Sequence, residues 1–207
     1  MGAVAAFGSA ALALPKGAQH AAAPAAAPPL AAASQGEPVL VELFTSQGCS
    51  SCPPADKLAE TLSRKPGLVV ISRPVTYWDR LGWKDTLARE SNTALQQNYA
   101  RRGLAGYNGV YTPQLVVDGS FGEVGSQAEK VAAGIKRYGS TSDAAIRVGK
   151  RKDGAGYTVD LSGAGKAPAE LVLVAVTARV NVVIGSGENG GRKVTYANVL
   201  RAERKLI

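Results

Sequence analysis

The sequence has few of the residues from which metal and cofactor sites are usually built. Its 207 residues include two cysteines, one histidine and one methionine. Two cysteines in a chain of this length are too few for a disulfide-stapled scaffold. A tetrahedral zinc site needs about four Cys or His ligands, and the single histidine, His20, lies in an Ala/Pro-rich leader. The same shortage argues against a copper chaperone. We therefore expect neither a metal site nor a bound cofactor.

The chain also lacks a run of basic residues interleaved with aromatic side chains, although its formal net charge is +8. Residues 141–207 hold 11 basic and 6 acidic residues, against 12 and 10 in residues 37–140. Such a distribution is typical of a solvated basic face, and a nucleic-acid-binding function is not expected. Contact of this basic C-terminal third with an anionic surface of the cell envelope is left open.

Residues 1–36 have almost no large side chains and cannot form a packed core. Within them, the apolar run from Val4 to Leu14 has the length of a signal-peptide core and is too short to span a bilayer as a helix. No basic residue precedes the run, which departs from a standard signal peptide. We expect export to the periplasm or the medium, with a disordered cytosolic tail as the alternative.

Both cysteines lie in one short motif between a strand-like run and a helix-like run. Pro38–Phe44 is apolar and β-branched with one charge, which predicts a strand buried on both faces. Pro53 and Pro54 fit only the first turn of a helix, so a helix is expected to begin directly after the cysteines. Its apolar spacing points Leu58 and Leu62 inward, among other residues, and places Asp56 and Glu60 on the outer face.

This position favours thiol chemistry. A thiolate near the start of a helix is stabilised by unpaired N–H groups and by the positive end of the helix dipole. We expect Cys49 to be the nucleophile and Cys52 to resolve the mixed disulfide. A structural or idle cysteine pair is the alternative, and metal capture by the two thiolates would need ligands from a second molecule.

The rest of the chain predicts the order β-α-β-α-β-β-α over residues 37–140. A strand is expected at Leu68–Val75 and a helix from Thr86 to Arg101 with Asp85 as its N-cap. A hairpin turns at Asp118-Gly119, and a third helix opens with a capping box at Ser126–Glu129. Residues 141–207 contain short β-like runs between glycine-rich turns, which predict an antiparallel β-rich appendage.

A strand that leads into C-x-x-C at a helix start, followed by Thr112-Pro113 before a hairpin, resembles the thioredoxin-like fold. The resemblance implies an α/β domain with a mixed sheet and flanking helices. It implies a cis bond before Pro113, close to the cysteine pair. It also implies that Thr112 binds an extended peptide while Cys49 attacks the disulfide of that peptide.

Four motifs are similar to those of a bacterial family of secreted thioredoxin-like proteins of uncharacterised function. They lie at Val41–Asp56, Tyr77–Asp85, Val110–Gly119 and Gly187–Arg192. The chain departs from the family at 74–76, where Pro-Val-Thr replaces the usual His-Val-Asp. If the replaced His or Asp carries a proton, that role is lost here or is taken by Asp79. Trp78 and Asp79 therefore have two interpretations, as pocket wall and proton carrier or as core residue and turn cap.

The sequence thus predicts an exported thiol-disulfide oxidoreductase, with Cys49 and Cys52 as the redox pair and Thr112 and Pro113 as the substrate-positioning loop. Its expected partners are a disulfide- or thiol-bearing protein and a redox partner, both unidentified. The alternative is a non-catalytic binding or scaffold protein of the cell envelope, in which the pair forms a structural disulfide.

Overall fold

Strand β1, Val39–Thr45, is a central strand of the main sheet. The computed structural model of the protein describes residues 38–104, 109–139, 145–163 and 170–206. These residues belong to one compact unit. The helices α1, α2 and α3 lie at Pro53–Leu62, Glu90–Arg101 and Ala128–Tyr138. The strands β2 to β8 lie at Leu68–Pro74, Gln114–Val117, Phe121–Val124, Ala145–Lys150, Tyr157–Ser162, Val172–Val183 and Lys193–Lys205. Up to residue 139 the element order is the predicted one.

Six of the described strands form one mixed sheet in the order β4-β3-β1-β2-β8-β7. Strand β2 is parallel to β1 and to β8, and the other neighbours are antiparallel. Strands β5 and β6 form a separate antiparallel pair. The expected α/β architecture with a mixed sheet and flanking helices is confirmed, and β8 and β7 extend the sheet begun by the N-terminal strands.

The side chains of β1 alternate between two cores. Val41 and Leu43 face α1 and α3, in a cluster that includes Ala59 of α1 and Val131 of α3. Phe44 points to the opposite face and meets Tyr99 of α2 edge-on, with ring centroids 5.9 Å apart. Because helices cover both faces of β1, nearly every position of the strand is apolar, as the sequence predicted.

The one charged residue of β1, Glu42, is buried in a polar network on the α2 face. Arg73 Nε donates to Glu42 Oε1 at 2.6 Å, and the Tyr99 hydroxyl donates to Glu42 Oε2 at 2.6 Å. Arg73 Nη1 also donates to Glu203 of β8 at 2.8 Å. Burial disfavours the charged guanidinium, but the two carboxylates outweigh it and raise the pKa of Arg73. The network therefore joins β1, β2, β8 and α2.

Helix α2 begins at Glu90, later than predicted, with Arg89 as its N-cap. The predicted N-cap, Asp85, instead accepts the N–H of Leu87 at 2.8 Å and closes a turn. Its other carboxylate oxygen accepts the N–H of Gln47 at 2.8 Å. The expected helix start is wrong because Asp85 binds the loop at Gln47, and no local sequence pattern reveals this long-range contact.

The hairpin between β3 and β4 turns where the sequence predicted. Asp118 and Gly119 have φ angles of 44° and 61°, and two consecutive left-handed residues are what a type I′ turn requires. Helix α3, by contrast, begins at Ala128 with Gln127 as an N-cap whose side chain makes no capping hydrogen bond. The predicted capping box at Ser126 is therefore wrong.

The predicted leader, residues 1–36, lies outside the described residues. In the described part of the chain, no helix is long and apolar enough to cross a membrane.

Substituting Arg73→Met should destabilise the protein by about 3 to 5 kcal/mol, because Glu42 then remains buried without its cationic partner. The free energy of unfolding in urea measures the effect. Arg80→Met is the matched control, since Arg80 is exposed, and it should change stability by less than about 0.5 kcal/mol. Equal effects of the two substitutions would contradict the role of the network.

Candidate functional site

Cys49 and Cys52 form a disulfide in the turn that joins β1 to α1. Their Cα atoms are 5.4 Å apart. Cys52 is the N-cap of α1, and Pro53 and Pro54 occupy its first turn, as the sequence predicted. The main chain curls tightly here, with the Cys52 N–H donating to the Cys49 carbonyl at 3.1 Å. Cys49 accordingly lies in the loop, before the helix begins.

Neither cysteine has exposed surface, with relative exposures of 0% for both. The two residues between them, Ser50 and Ser51, are exposed and form the tip of the turn. The Ser51 hydroxyl lies 3.3 Å from the Cys49 sulfur. Of the two sulfurs, Cys49 is therefore the one in contact with the exposed tip, and a reagent reaches it only after that tip moves.

Trp78 connects this turn to the Thr112-Pro113 loop. A Cβ placed on Gly48, in the cysteine turn, would lie 3.4 Å from the Trp78 Cβ. Its indole Nε1 donates to the Thr112 hydroxyl at 2.8 Å. The following peptide bond, to Pro113, is cis. The structure thus brings Trp78, Thr112 and the cysteine turn together, while their functional roles stay predictions.

Pro113 is also close to the first turn of α1. A Cβ placed on Gly125 would lie 3.5 Å from Pro113 Cβ and 3.2 Å from Ala55 Cβ. The Gly125 N–H donates to the Pro113 carbonyl at 2.9 Å. Gly125 is therefore the contact point between the predicted substrate loop and the helix that follows the cysteines.

Asp79 makes the turn-capping contact that the sequence offered as one of its two interpretations. Its carboxylate accepts the N–H of Asp85 at 3.0 Å. Asp85, in turn, accepts the N–H of Gln47. Burial raises the pKa of Asp85, although its backbone hydrogen bonds act in the opposite direction. Asp79 therefore supports the cysteine loop through Asp85.

Asp56 is the buried acid closest in sequence to the disulfide. Its N–H donates to the Cys52 carbonyl at 3.1 Å, one helical turn back. Oδ1 accepts from the Thr45 hydroxyl at 2.7 Å, and Oδ2 has no hydrogen-bond partner among the described residues. Burial raises the pKa of Asp56 to about 8; the Thr45 hydrogen bond opposes the shift and the charge of Asp85 adds to it.

The expected outward orientation of Asp56 and Glu60 is therefore wrong. Their relative exposures are 2% and 5%. Asp56 faces Thr45 at the end of β1, and Glu60 binds Arg179 of β7 at 3.0 Å. Strand β8 lies beside β2 and β7 lies beside β8, and both strands contact the side of α1 that was expected to face solvent.

Asn189, in the loop between β7 and β8, holds the cysteine turn from the other side. Its amide Nδ2 donates to the carbonyls of Gln47 at 2.9 Å and Cys49 at 2.7 Å. Asn189 is 1% exposed. The Gln47 side chain is buried too and accepts from Trp83 Nε1 at 2.8 Å. These contacts join three of the four sequence motifs at one place.

Glu188 contacts the same turn at the surface. Its Oε2 accepts the Ser50 N–H at 3.1 Å. Hydrogen bonds from the Ser50 side chain and backbone lower the pKa of Glu188. Sequence reasoning noted the motif that contains Glu188 and Asn189 but gave these residues no role. The sequence contained one signal for such a role: this motif is rich in glycine and lies far from the cysteines along the chain.

The described residues contain no group of three or more Cys, His, Asp or Glu side chains that could hold a metal ion. The polar groups around the disulfide are amides, hydroxyls and isolated carboxyls. Amides and hydroxyls of this kind form hydrogen bonds with main-chain and side-chain atoms, and carboxyl groups can also exchange protons.

Substituting Asn189→Ala should destabilise the protein by about 1 to 3 kcal/mol, because the buried Gln47 carbonyl loses its donor and the Cys49 carbonyl keeps only the N–H of Cys52. Urea unfolding of the oxidised protein measures the change. Asn98→Ala, on the exposed side of α2, is the matched control and should be near neutral. An Asn189 variant as stable as the Asn98 variant would show that the loop does not hold the turn.

Two solved structures are similar to this chain. A crystal structure of the protein AGR_C_4864 from Agrobacterium tumefaciens is 32% identical, with a TM-score of 0.67, over 84% of this chain and 74% of that one. HBP35 of Porphyromonas gingivalis matches at 14% identity and a TM-score of 0.47, over 82% and 57% of the two chains. No curated protein matches significantly. The model of a protein family of unknown function, DUF1223, matches residues 40–207, and the chain belongs to that family.

Proposed function

We propose that this protein is a thiol-disulfide oxidoreductase with a thioredoxin-like fold. The observation that carries the proposal is a four-residue disulfide turn at the start of α1, one helical turn from the buried carboxyl group of Asp56. Thr112 and Pro113, next to this turn through Trp78 and Gly125, are its substrate-positioning loop.

The order of elements and strands supports the thioredoxin-like part of the proposal. Strands β1 and β2 are parallel neighbours, and β3 and β4 continue the sheet from β1 in antiparallel fashion. Helices α1 and α3 pack on one face and α2 on the other. In this arrangement the end of β1, the start of α1 and the start of β3 meet, which brings a C-x-x-C turn and a Thr-Pro dipeptide together.

The reaction follows from the two sulfurs. A substrate thiolate attacks the Cys49 sulfur, a bond forms between them, and the Cys49–Cys52 bond breaks with its electron pair on Cys52. A second substrate thiolate then attacks the substrate sulfur of the mixed disulfide and releases Cys49 as a thiolate. The substrate loses two electrons and the protein gains them; the reverse sequence reduces a substrate disulfide. No further cofactor is needed.

Asp56 supplies the proton that this exchange requires. A pKa of about 8 is close to that of an ordinary thiol, which matches this carboxyl group to proton exchange with the Cys52 thiolate. The Oδ2 atom of Asp56 has no partner among the described residues and is available for this role. Asp56 thus replaces Asp79, whose carboxylate is engaged by Asp85, as our candidate proton carrier.

The burial of both cysteines favours the alternative, a binding or scaffold protein of the cell envelope with a structural disulfide. A disulfide that closes a loop of only four residues, however, stabilises a fold by about 2 kcal/mol in the loop-entropy relation, against about 4.7 for a loop of 100 residues. Because this gain in stability is small, stabilisation of the fold alone is a weak explanation for the cysteine pair. We therefore retain the oxidoreductase as the proposal.

An oxidised cysteine pair and the apolar leader support a location in the periplasm or outside the cell, where disulfides persist. We propose that the partners are a disulfide- or thiol-bearing protein substrate and a separate redox partner. The proposed reaction with these two partners requires neither a nucleic acid nor a metal.

In the reduced protein, iodoacetamide should alkylate Cys49 faster than Cys52, because the Cys49 sulfur contacts the exposed tip, whereas Cys52 is the buried N-cap of α1. Peptide mass spectrometry measures both rates. Cys49→Ser should abolish turnover of a peptide disulfide, and Cys52→Ser should trap the mixed disulfide. Ser120→Ala, in the exposed hairpin turn, should keep wild-type turnover. Equal, slow alkylation of both thiols without turnover would rule out the proposal.

Substituting Asp56→Asn should change the pH dependence of stability. The folded state holds the Asp56 proton up to a pH of about 8, whereas the unfolded state releases it near 3.8. The stability contributed by the neutral acid is therefore complete below the unfolded pKa and is lost as the pH rises through the folded one. Relative to the wild type, the variant should gain stability between pH 4 and pH 8.

The same variant tests the catalytic role. Without a titrating group beside Cys52, its reaction rate should lose the inflection near the pKa of Asp56 and should fall at neutral pH. Glu129→Gln, on the exposed first turn of α3, is the control for loss of an acid. A rate profile identical to that of the wild type would remove Asp56 from the mechanism.

A further inference from the structure

A basic groove begins beside the disulfide and follows α1. It is a cavity of about 270 Å³ lined by Pro53, Lys57 and Glu60 of α1 and by Lys193, Val194 and Thr195 of β8. Pro53 directly follows Cys52 in the chain, so one end of the groove adjoins the redox pair. The groove exists because β8 lies next to β2 and faces the helix.

Three cations bind a single carboxylate here, and a fourth lines the same groove. Glu60 accepts hydrogen bonds from Lys57 at 2.8 Å and from Arg64 at 3.1 Å, and it forms an ion pair with Arg179 at 3.0 Å. These hydrogen bonds and charges lower the pKa of Glu60 to about 2. Lys193 is exposed and has no ion-pair partner in the described part of the chain. Four positive groups less one negative group leave an excess of three positive charges.

The three cations that contact Glu60 are exposed and can also contact a ligand. The side chains of Lys57, Arg64 and Arg179 are 73%, 58% and 58% exposed. One carboxylate has two oxygens and cannot neutralise three cations. With the Glu188 carboxylate at the tip of the turn also counted, an excess of two positive charges remains. Positive potential therefore extends from the groove into the solvent along α1, where it raises the local concentration of anionic partners.

The length of the basic strip indicates the size of the ligand. Pro53, Lys57, Glu60 and Arg64 follow one side of α1 and its C-terminal turn, and Pro53 and Arg64 are about 16 Å apart at the helical rise. An extended polypeptide covers that distance with about five residues. A small disulfide would fill only one end of the strip.

We propose that this groove binds an acidic, extended segment of the polypeptide whose thiols or disulfide react with Cys49. This inference rests on the proposed function, and it adds the chemical class of the substrate. The negative side chains of the segment pair with Lys57 and Lys193, while the neighbouring substrate cysteine lies over the exposed tip of the turn. Basic polypeptides are disfavoured by the same charges.

Binding can be measured separately from redox chemistry with fluorescein-labelled peptides that contain no cysteine. A glutamate-rich peptide, its glutamine counterpart and its lysine counterpart are titrated with the oxidised full-length protein at low salt, and anisotropy reports binding. The glutamate peptide should bind most tightly, and salt at about 1 M, where the screening length is about 3 Å, should abolish the preference.

The test variant is Lys57→Gln with Lys193→Gln, which leaves Glu60 its two arginine partners and so protects the fold. It should weaken binding of the glutamate peptide at least about fivefold, the effect of one charge contact in water. Lys136→Gln with Lys150→Gln, both exposed and on α3 and β5, is the matched control and should bind like the wild type. Equal effects of the two variants, or equal affinities for the three peptides, would overturn the proposal.

Turnover of a neutral peptide disulfide is measured in parallel. Turnover without any preference for acidic peptides overturns the groove and leaves the oxidoreductase intact. Binding of the glutamate peptide without turnover of any disulfide overturns the proposed function, and with it the assignment of the peptide as substrate. Vesicles of anionic phospholipid that bind more tightly than the peptide, with the same sensitivity to the test variant, would assign the groove to a lipid surface and overturn the proposal.

Discussion

The conformation of the disulfide turn depends on two hydrogen bonds that the Asn189 amide donates to the carbonyls of Gln47 and Cys49. Both acceptors are buried, and without Asn189 the Gln47 carbonyl would have no donor among the described residues, which costs free energy. The loop that supplies the amide exists only because β7 and β8 form a long hairpin beside β2. The C-terminal strands therefore belong to the site as much as the cysteines do, since they set the conformation of the turn that carries them.

Two of the buried carboxyl groups differ in their partners. On the α2 face, Glu42 is paired with Arg73, so its contribution is structural. On the α1 face, Asp56 has no cation beside it and keeps its proton to a pKa of about 8. A paired carboxylate is fixed in one charge state, whereas an unpaired one titrates near neutral pH and can exchange a proton. This contrast is why we assign chemistry to Asp56 and not to Glu42.

Sequence reasoning recovered the parts of the fold that local signals determine. The apolar run of β1, the prolines at the start of α1 and the Asp118-Gly119 turn each act within a few residues, and all three are as predicted. The errors came from contacts between distant segments. Asp85 did not cap α2 because it binds Gln47, 38 residues away, and Glu60 was not exposed because Arg179 of β7 reaches it. The role of Asn189 was likewise hidden, 140 residues from the Cys49 carbonyl that it binds.

The central claim is that the buried Cys49–Cys52 bond is a redox couple. Its reduction potential, measured by equilibrating the protein with thiol-disulfide buffers and separating the two forms after acid quenching, tests that claim most directly. The account predicts a value in the range of thiol-exchange proteins, between about −270 and −120 mV. A value below about −300 mV, typical of structural disulfides, would contradict it.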